Sequence, residues 1–330
     1  MYFQIKFNAT MILEQSTATL LFQPNNFKQI YDDLHELHQL YASHTAISAG
    51  DMNDIDLFLP SGKAISPTGA AHCLLEIQRT AVFIRGIHKA ILKLQQSFPG
   101  QQLHILYAGC GPYATLVTPF TTLFSPEEIS FHLLDVNERS LAASKKLYQA
   151  LDLEAYVAEW ICADATQYTF PADQAIHLVI SETMLNALRK EPQVAIMLNL
   201  IPQMQEKALF IPENIRITAQ LLNYKQENAR LTQGGLIPER INLGEVYTIG
   251  REQYKAHEQV CIQIPDEVVK EQSLQLLTEI TTFEEERLGI YQSSLNMPVR
   301  ISDVLEYAGR KISFDYQMGE QPGFNHQWLP

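Results

Sequence analysis

Between Leu103 and Leu222, apolar runs of strand length alternate with stretches of helical periodicity. LHILYAG (103–109), Ile129–Leu134, Ala155–Cys162 and Ala175–Ile180 read as strands, as do segments near 207–211 and 214–222. Glu138–Ala150 and a segment around 192–205 read as helices. A helical or mixed stretch leads from the Gly109-Cys110-Gly111 turn to Phe124. Near-continuous apolar strands separated by crossover helices can bury both faces only in a parallel sheet covered on each side. The pattern therefore predicts an α/β fold with a doubly wound parallel sheet.

Other segments flank that unit. Residues 25–43 place Phe27, Ile30, Tyr31, Leu34, Leu37 and Tyr41 at three-and-four spacing, which predicts an amphipathic helix. Residues 44–65 read as a loop, and Ser66-Pro67 as the N-cap and first residue of one long helix ending at Pro99-Gly100. After about Leu222, short β-like segments follow: EVYTI (245–249), VCIQI (260–264) and KISFDY (311–316), with 273–294 ambiguous by periodicity. They predict a β-rich second domain.

Composition narrows the function classes. A hydrophobic fraction of 46% is too high for a disordered chain. A formal net charge of −13 disfavours nucleic acid and favours a cationic partner. The four cysteines, Cys73, Cys110, Cys162 and Cys261, lack zinc-ligand spacing and read as reduced core thiols. His72, His104, His132 and His177 are scattered, so no metal site is expected, and His104 and His132 read as core histidines. Neither a signal-like N-terminus nor a run of about 18 apolar residues is present, so the expectation is a cytoplasmic chain without a membrane span.

The strand ends carry the chemistry. A GxG turn after the first parallel strand lets backbone approach a nucleotide at the sheet's carboxyl edge. Gly109 and Gly111 supply that turn. Asp135, 26 residues beyond Gly109, closes the second strand, where a carboxylate can accept from two ribose hydroxyls. Asp164, beside Ala165 after the third strand, is placed to meet an adenine amino group. The third glycine of the dinucleotide fingerprint is missing, which weighs against NAD. These residues at three successive strand ends resemble the class I S-adenosylmethionine (SAM) methyltransferases, whose sheet is Rossmann-like. Tyr107 stands where an acidic residue often sits in such enzymes, and Tyr113 reads either as a cofactor contact or as core.

A narrower resemblance follows. HLVISETMLNALRKE contains Glu182 and, nine residues on, Glu191. It is similar to the double-glutamate loop of the protein arginine methyltransferases. CLLEIQRTAVFIRGI resembles that family's N-terminal helix, and MLNLIPQMQEKALFIPENIRITAQLL its passage from sheet to barrel. The resemblance implies SAM as cofactor, with Arg79 holding its methionine carboxylate and Glu182 and Glu191 gripping a guanidinium. Two carboxylates suit that task, because a guanidinium is a planar cation whose nitrogens are poor nucleophiles. Held in plane, with charge drawn to the gripped nitrogens, the target nitrogen becomes the better nucleophile. Arg85 lies on another face of the same helix and reads as a structural ion-pairing residue.

The expected organisation is a helical appendage over residues 1–65, a SAM-binding domain over 66–212 and a smaller, barrel-like β domain over 213–330. The family implies a homodimer. Its dimerisation arm corresponds either to the polar stretch 223–242 or to nothing, that stretch being a plain surface excursion, and the N-terminal helix is an alternative dimer surface. His326 and Trp328 lie in a tail that reads as frayed rather than as a pocket-lining loop. The expected activity is N-methylation of arginine, free or in a peptide or protein. Methylation of another amine or hydroxyl, and SAM binding without turnover, are the alternatives.

Overall fold

The computed structural model describes residues 2–48, 50, 54–172, 174–234, 237–254 and 259–329. Two helices open the chain, α1 (Tyr2–Phe22) and α2 (Phe27–Thr45). Periodicity reveals the second, which buries Ile30, Leu34, Leu37 and Tyr41 and leaves Phe27 and Tyr31 exposed. It does not reveal α1, whose apolar and small polar residues form no single stripe, yet Leu13, Ser16, Thr17 and Leu20 are buried. Leu13, Leu20 and those four apolar residues of α2 belong to the same core as the parallel sheet.

The span read as a loop holds a hairpin, β1 (Leu57–Leu59) and β2 (Gly62–Ala64). Ser66 caps the following helix, its hydroxyl accepting from Gly69 N at 3.2 Å. The long helix expected there is two helices, α3 (Pro67–Cys73) and α4 (Ile77–Ser97). Thr80 Oγ1 donates to the carbonyls of Cys73 and Leu74 at 3.2 and 3.1 Å, satisfying acceptors that the break exposes. The break sets Glu76 and Arg79 at the start of α4.

The alternating region is as its sequence predicts: β3 (Leu103–Ala108), β4 (Ile129–Asp135), α5 (Glu138–Leu151), β5 (Val157–Cys162), β6 (Leu178–Ser181), α6 (Gln193–Leu200) and β7 (Leu209–Ile211). Its five strands are all parallel, in the order β5-β4-β3-β6-β7. Between β3 and β4 the chain makes turns and one 3₁₀ turn (Thr118–Thr122) in place of a helix. Pro112 and Pro119 remove helical donors there.

Beyond the sheet run β8 (Asn214–Asn223), α7 (Tyr224–Gln233), β9 (Arg240–Gly250), β10 (Val260–Gln263), β11 (Gln272–Phe283), β12 (Glu286–Leu288), β13 (Val299–Asp303), β14 (Lys311–Gln317) and β15 (Gly323–Leu329). The ambiguous stretch is thus β11 and β12, and the polar stretch begins with a helix. Instead of one hydrogen-bonded cylinder, the described strands form two antiparallel sheets. One has the order β12-β11-β8-β9 with β13 also on β11, and the other β10-β14-β15. Tyr247 of β9 stacks on Tyr316 of β14 at 5.4 Å between ring centroids, joining them.

Two expectations need correction. The C-terminal tail is not frayed: β15 pairs with β14 over seven residues, and Trp328 stacks on Tyr307 at 3.8 Å. The cysteines are free thiols, but only Cys110 is a buried core residue. Cys162 and Cys261 are exposed because β5 and β10 are edge strands with one outward face. Among the described residues no helix is long and apolar enough to cross a membrane, and no group of three or more His, Cys, Asp or Glu could hold a metal.

Candidate active site

Strand order reverses between β3 and β6, and the carboxyl ends of those two strands bound a crevice where such sheets hold ligands. A cavity of about 950 Å³, open solvent included, occupies it. Arg79, Gly109, Gly111, Asp135, Asp164, Ala165, Glu182 and Glu191 all line it. The structure thereby brings together every site residue expected from the sequence, from five separate segments.

One half of the cavity is built from strand ends. Gly109 has φ of +80°, and a Cβ there would lie 2.5 Å from the Thr183 methyl, so both turn and close approach require glycine. Asp135 Oδ2 accepts from Gly111 N and Oδ1 from Asn137 N, each at 2.8 Å. Burial nevertheless pushes its carboxyl up to about 6. Asp164 Oδ1 accepts from the amide and hydroxyl of Thr166 at 2.9 and 2.8 Å, which orients the carboxylate at the cavity wall. Tyr107 is buried in the same wall and brings no carboxylate. Tyr113 is core: its hydroxyl donates to Ile47 O at 2.6 Å and its ring packs on Tyr41.

The other half holds the two glutamates. Glu182 follows β6 directly, and its Oε2 accepts from Arg79 Nε at 3.0 Å and also from Nη2. Arg79 Nη1 reaches Glu76 Oε1 at 3.2 Å, so the guanidinium lies between two carboxylates of its own chain. Glu76 in turn accepts from the amide and hydroxyl of Ser294 at 2.9 and 2.7 Å. Glu182 Oε1 is buried with no hydrogen-bond partner. No hydrogen bond or ion pair among the described residues engages the carboxylate of Glu191. Burial pushes Glu182 up to about 7 against the pull of Arg79. Burial, then the charge of Glu182, pushes Glu191 up to about 7.

The loop between the glutamates is strained and braced. Ala187, Leu188 and Lys190 have φ of 54°, 52° and 66°, each a left-handed conformation costly for a residue with a side chain. Thr278 Oγ1 of β11 accepts from Ala187 N at 2.8 Å. Tyr316 of β14 donates its hydroxyl to Leu188 O at 2.8 Å. Lys190 is held from both sides, its N–H on Pro322 O at 2.7 Å and its carbonyl on Lys63 N at 2.6 Å. Thr183 is tied to Gln193 Oε1, which links the loop to α6. Sequence reading missed Lys63, Glu76, Ser294, Thr278, Tyr316 and Pro322, and no local signal marks them. His326 and Trp328 do not line the cavity, and Arg85 makes the expected structural ion pair, with Glu286 at 2.8 Å.

No protein-family model and no curated protein sequence matches the chain. Among solved structures it is similar to the Trypanosoma brucei PRMT1 enzyme–prozyme heterotetrameric complex with AdoHcy. The identity is 13% and the TM-score 0.50, over 78% of this chain and 91% of that one. The chain has that fold. A structure of Arabidopsis thaliana protein arginine methyltransferase 10 in an open conformation is also similar, at 9% identity and a TM-score of 0.46, over 72% of this chain and 84% of that one. At 13% identity the likeness to the first is one of architecture: a parallel central sheet, N-terminal helices and a C-terminal antiparallel β-rich domain.

Proposed function

We propose that this chain is a SAM-dependent methyltransferase acting on a guanidino nitrogen of arginine, free or within a peptide. The observation that carries the reading is Glu182 Oε1, a buried carboxylate oxygen without a partner, in the same cavity as an unengaged Glu191. A buried acceptor left unpaired is costly, and a guanidinium N–H is a donor that satisfies it with charge assistance. The likeness in fold to a methyltransferase complexed with AdoHcy supports the same reading.

The residues present fit the cofactor. Asp135 would hold the ribose hydroxyls, Asp164 the adenine amine and Arg79 the methionine carboxylate, while Tyr107 offers no charge to the methionine ammonium. When bound, SAM supplies an electrophilic methyl group on its sulfonium. The protein's own part is positioning and electrostatics. Arg79 occupies Oε2 of Glu182 and leaves Oε1 for the acceptor, so Glu182 is the better-fixed half of the clamp. Glu191, raised toward neutrality and bound to no cation, is suited to take the proton that the methylated nitrogen loses.

Glu182→Gln and Glu191→Gln test the clamp. Each should lower methyl transfer by about 10²- to 10⁴-fold while SAM binding, measured by calorimetry, is retained. Unchanged transfer to arginine by either variant would exclude a glutamate clamp. A homodimer belongs to the same reading, and equilibrium sedimentation of the full chain tests it.

A further inference from the structure

Two cations line the cavity among the described residues, Arg79 and Lys63. Arg79 is paired with Glu76 and Glu182 and is already assigned to the carboxylate of the cofactor. Lys63 is therefore the remaining cation, and it stands at the glutamate end: its own N–H is bonded to Lys190 O, next to Glu191. Its ammonium pairs with Asp56 Oδ2 at 2.9 Å, and Asp56 Oδ1 accepts from Ser66 N at 2.9 Å. Both side chains keep solvent contact, 21% for Lys63 and 34% for Asp56. Glu191 feels both charges.

A lysine here is poorly placed for a polycationic protein substrate, which it would repel. It is well placed for an acceptor that carries a carboxylate at the end opposite its guanidinium. The segments around the glutamate loop also pack closely. A Cβ at Gly62 would lie 2.9 Å from Lys190 O and 3.2 Å from Pro322 Cγ, so the β1–β2 hairpin meets the glutamate loop and the β14–β15 turn at that point.

Resting on the guanidino reading above, we infer that Lys63, oriented by Asp56 behind it, binds the α-carboxylate of the acceptor, and that the acceptor is a free guanidino amino acid. An ammonium has three donors, so Lys63 can keep its contact with Asp56 and still give a charge-assisted hydrogen bond to that carboxylate. In a peptide that carboxylate is an amide, and the ammonium has no second anion to pair.

The test is a calorimetric titration of the full chain in the presence of S-adenosylhomocysteine. The ligands are L-arginine, agmatine (arginine without its carboxylate) and a blocked peptide containing one arginine among neutral residues. L-Arginine should bind about 10- to 100-fold more tightly than either of the others. Lys63→Met should remove that advantage and leave agmatine within about twofold of its original affinity, and Lys63→Arg should restore most of it. Equal weakening of arginine and agmatine by Lys63→Met would reduce the pair to a hairpin brace and overturn the inference, as would tighter binding of the peptide. Methyl transfer to the same three compounds separates the two levels. Transfer to agmatine or peptide but not to arginine overturns the subsite and keeps the guanidino reading. Transfer to none, with none bound, overturns both.

Discussion

Arg79, Glu182 and Glu191 make a three-charge cluster in which two anions face one buried cation, and the acceptor would bring the second cation. On the guanidino reading the acceptor stays charged at any practical pH, so the pH dependence belongs to the glutamates. With both carboxyls raised to about 7, kcat/KM should fall as pH is lowered through about 7, and the limb belongs to the pair rather than to either residue. A profile flat from pH 6 to 8 would contradict that assignment. Arg79→Lys keeps the charge but loses the fork that reaches Glu76 and Glu182 together. It should weaken SAM binding about 10-fold or more, read as a calorimetric Kd.

At the scale of elements, the glutamate loop owes its shape to strands far away in sequence. Thr278 on β11 gives Ala187 N–H its acceptor, so Thr278→Val leaves a buried donor unpaired. It should cost about 1–3 kcal/mol in urea unfolding and lower kcat with little change in SAM affinity. Agreement in stability without loss of activity would show that the strained loop keeps its shape unaided. The opposite edge of the parallel sheet holds a second titrating group. His104 Nδ1 lies 3.2 Å from His132 Nε2, and His177 Nδ1 accepts from His104 N at 3.0 Å. Burial, then the neighbouring His104, pushes His132 and His177 down to about 4. Lowered histidine values mean stability that is full above about 6.5 and lost as pH falls toward 4. The raised glutamates act in the opposite sense, favouring the folded state as pH falls from about 7 to 4.5. The comparison must therefore be between variants. His132→Gln should lose less stability than the wild type between pH 6.5 and 4, by up to about 2 kcal/mol, in paired urea titrations. Glu159 lies 3.9 Å from His132 Nδ1.

For the whole molecule, the two N-terminal helices are a layer of the parallel-sheet domain in packing terms. Thr17 Oγ1 donates to Pro119 O at 3.3 Å, Tyr113 donates to Ile47 O, and Leu20, Leu34, Leu37 and Tyr41 are fully buried. Removing residues 1–46 would bare that surface. The shortened chain should lose cooperative thermal unfolding, whereas an independent appendage would leave the transition of the remainder intact. The second domain is equally committed, since β11, β14 and the Ser294 turn each place an atom at the site.

What the amino-acid order determined by itself is whatever a short segment can encode. Apolar runs that stop at Gly109, Asp135, Asp164 and Glu182 mark strand ends, and a parallel sheet must present its strand ends along one edge. Hence those carboxylates, and Glu191 nine residues on, were legible before any fold was known. Even the helix from Ser66 was legible at its cap, because a cap is a contact over three residues. Its break at Leu74 was not, since the side chains of Glu76 and Arg79 at the start of α4 find partners 218 and 103 residues away. The same distance hid the brace from Thr278, Tyr316 and Pro322, and the strand that the tail becomes only when β14 lies beside it. Lys63 is the sharpest case. In sequence it is a lysine in a polar turn; folded, it stands beside Glu191, because the hairpin that carries it is fastened to the glutamate loop by backbone hydrogen bonding that no side chain announces.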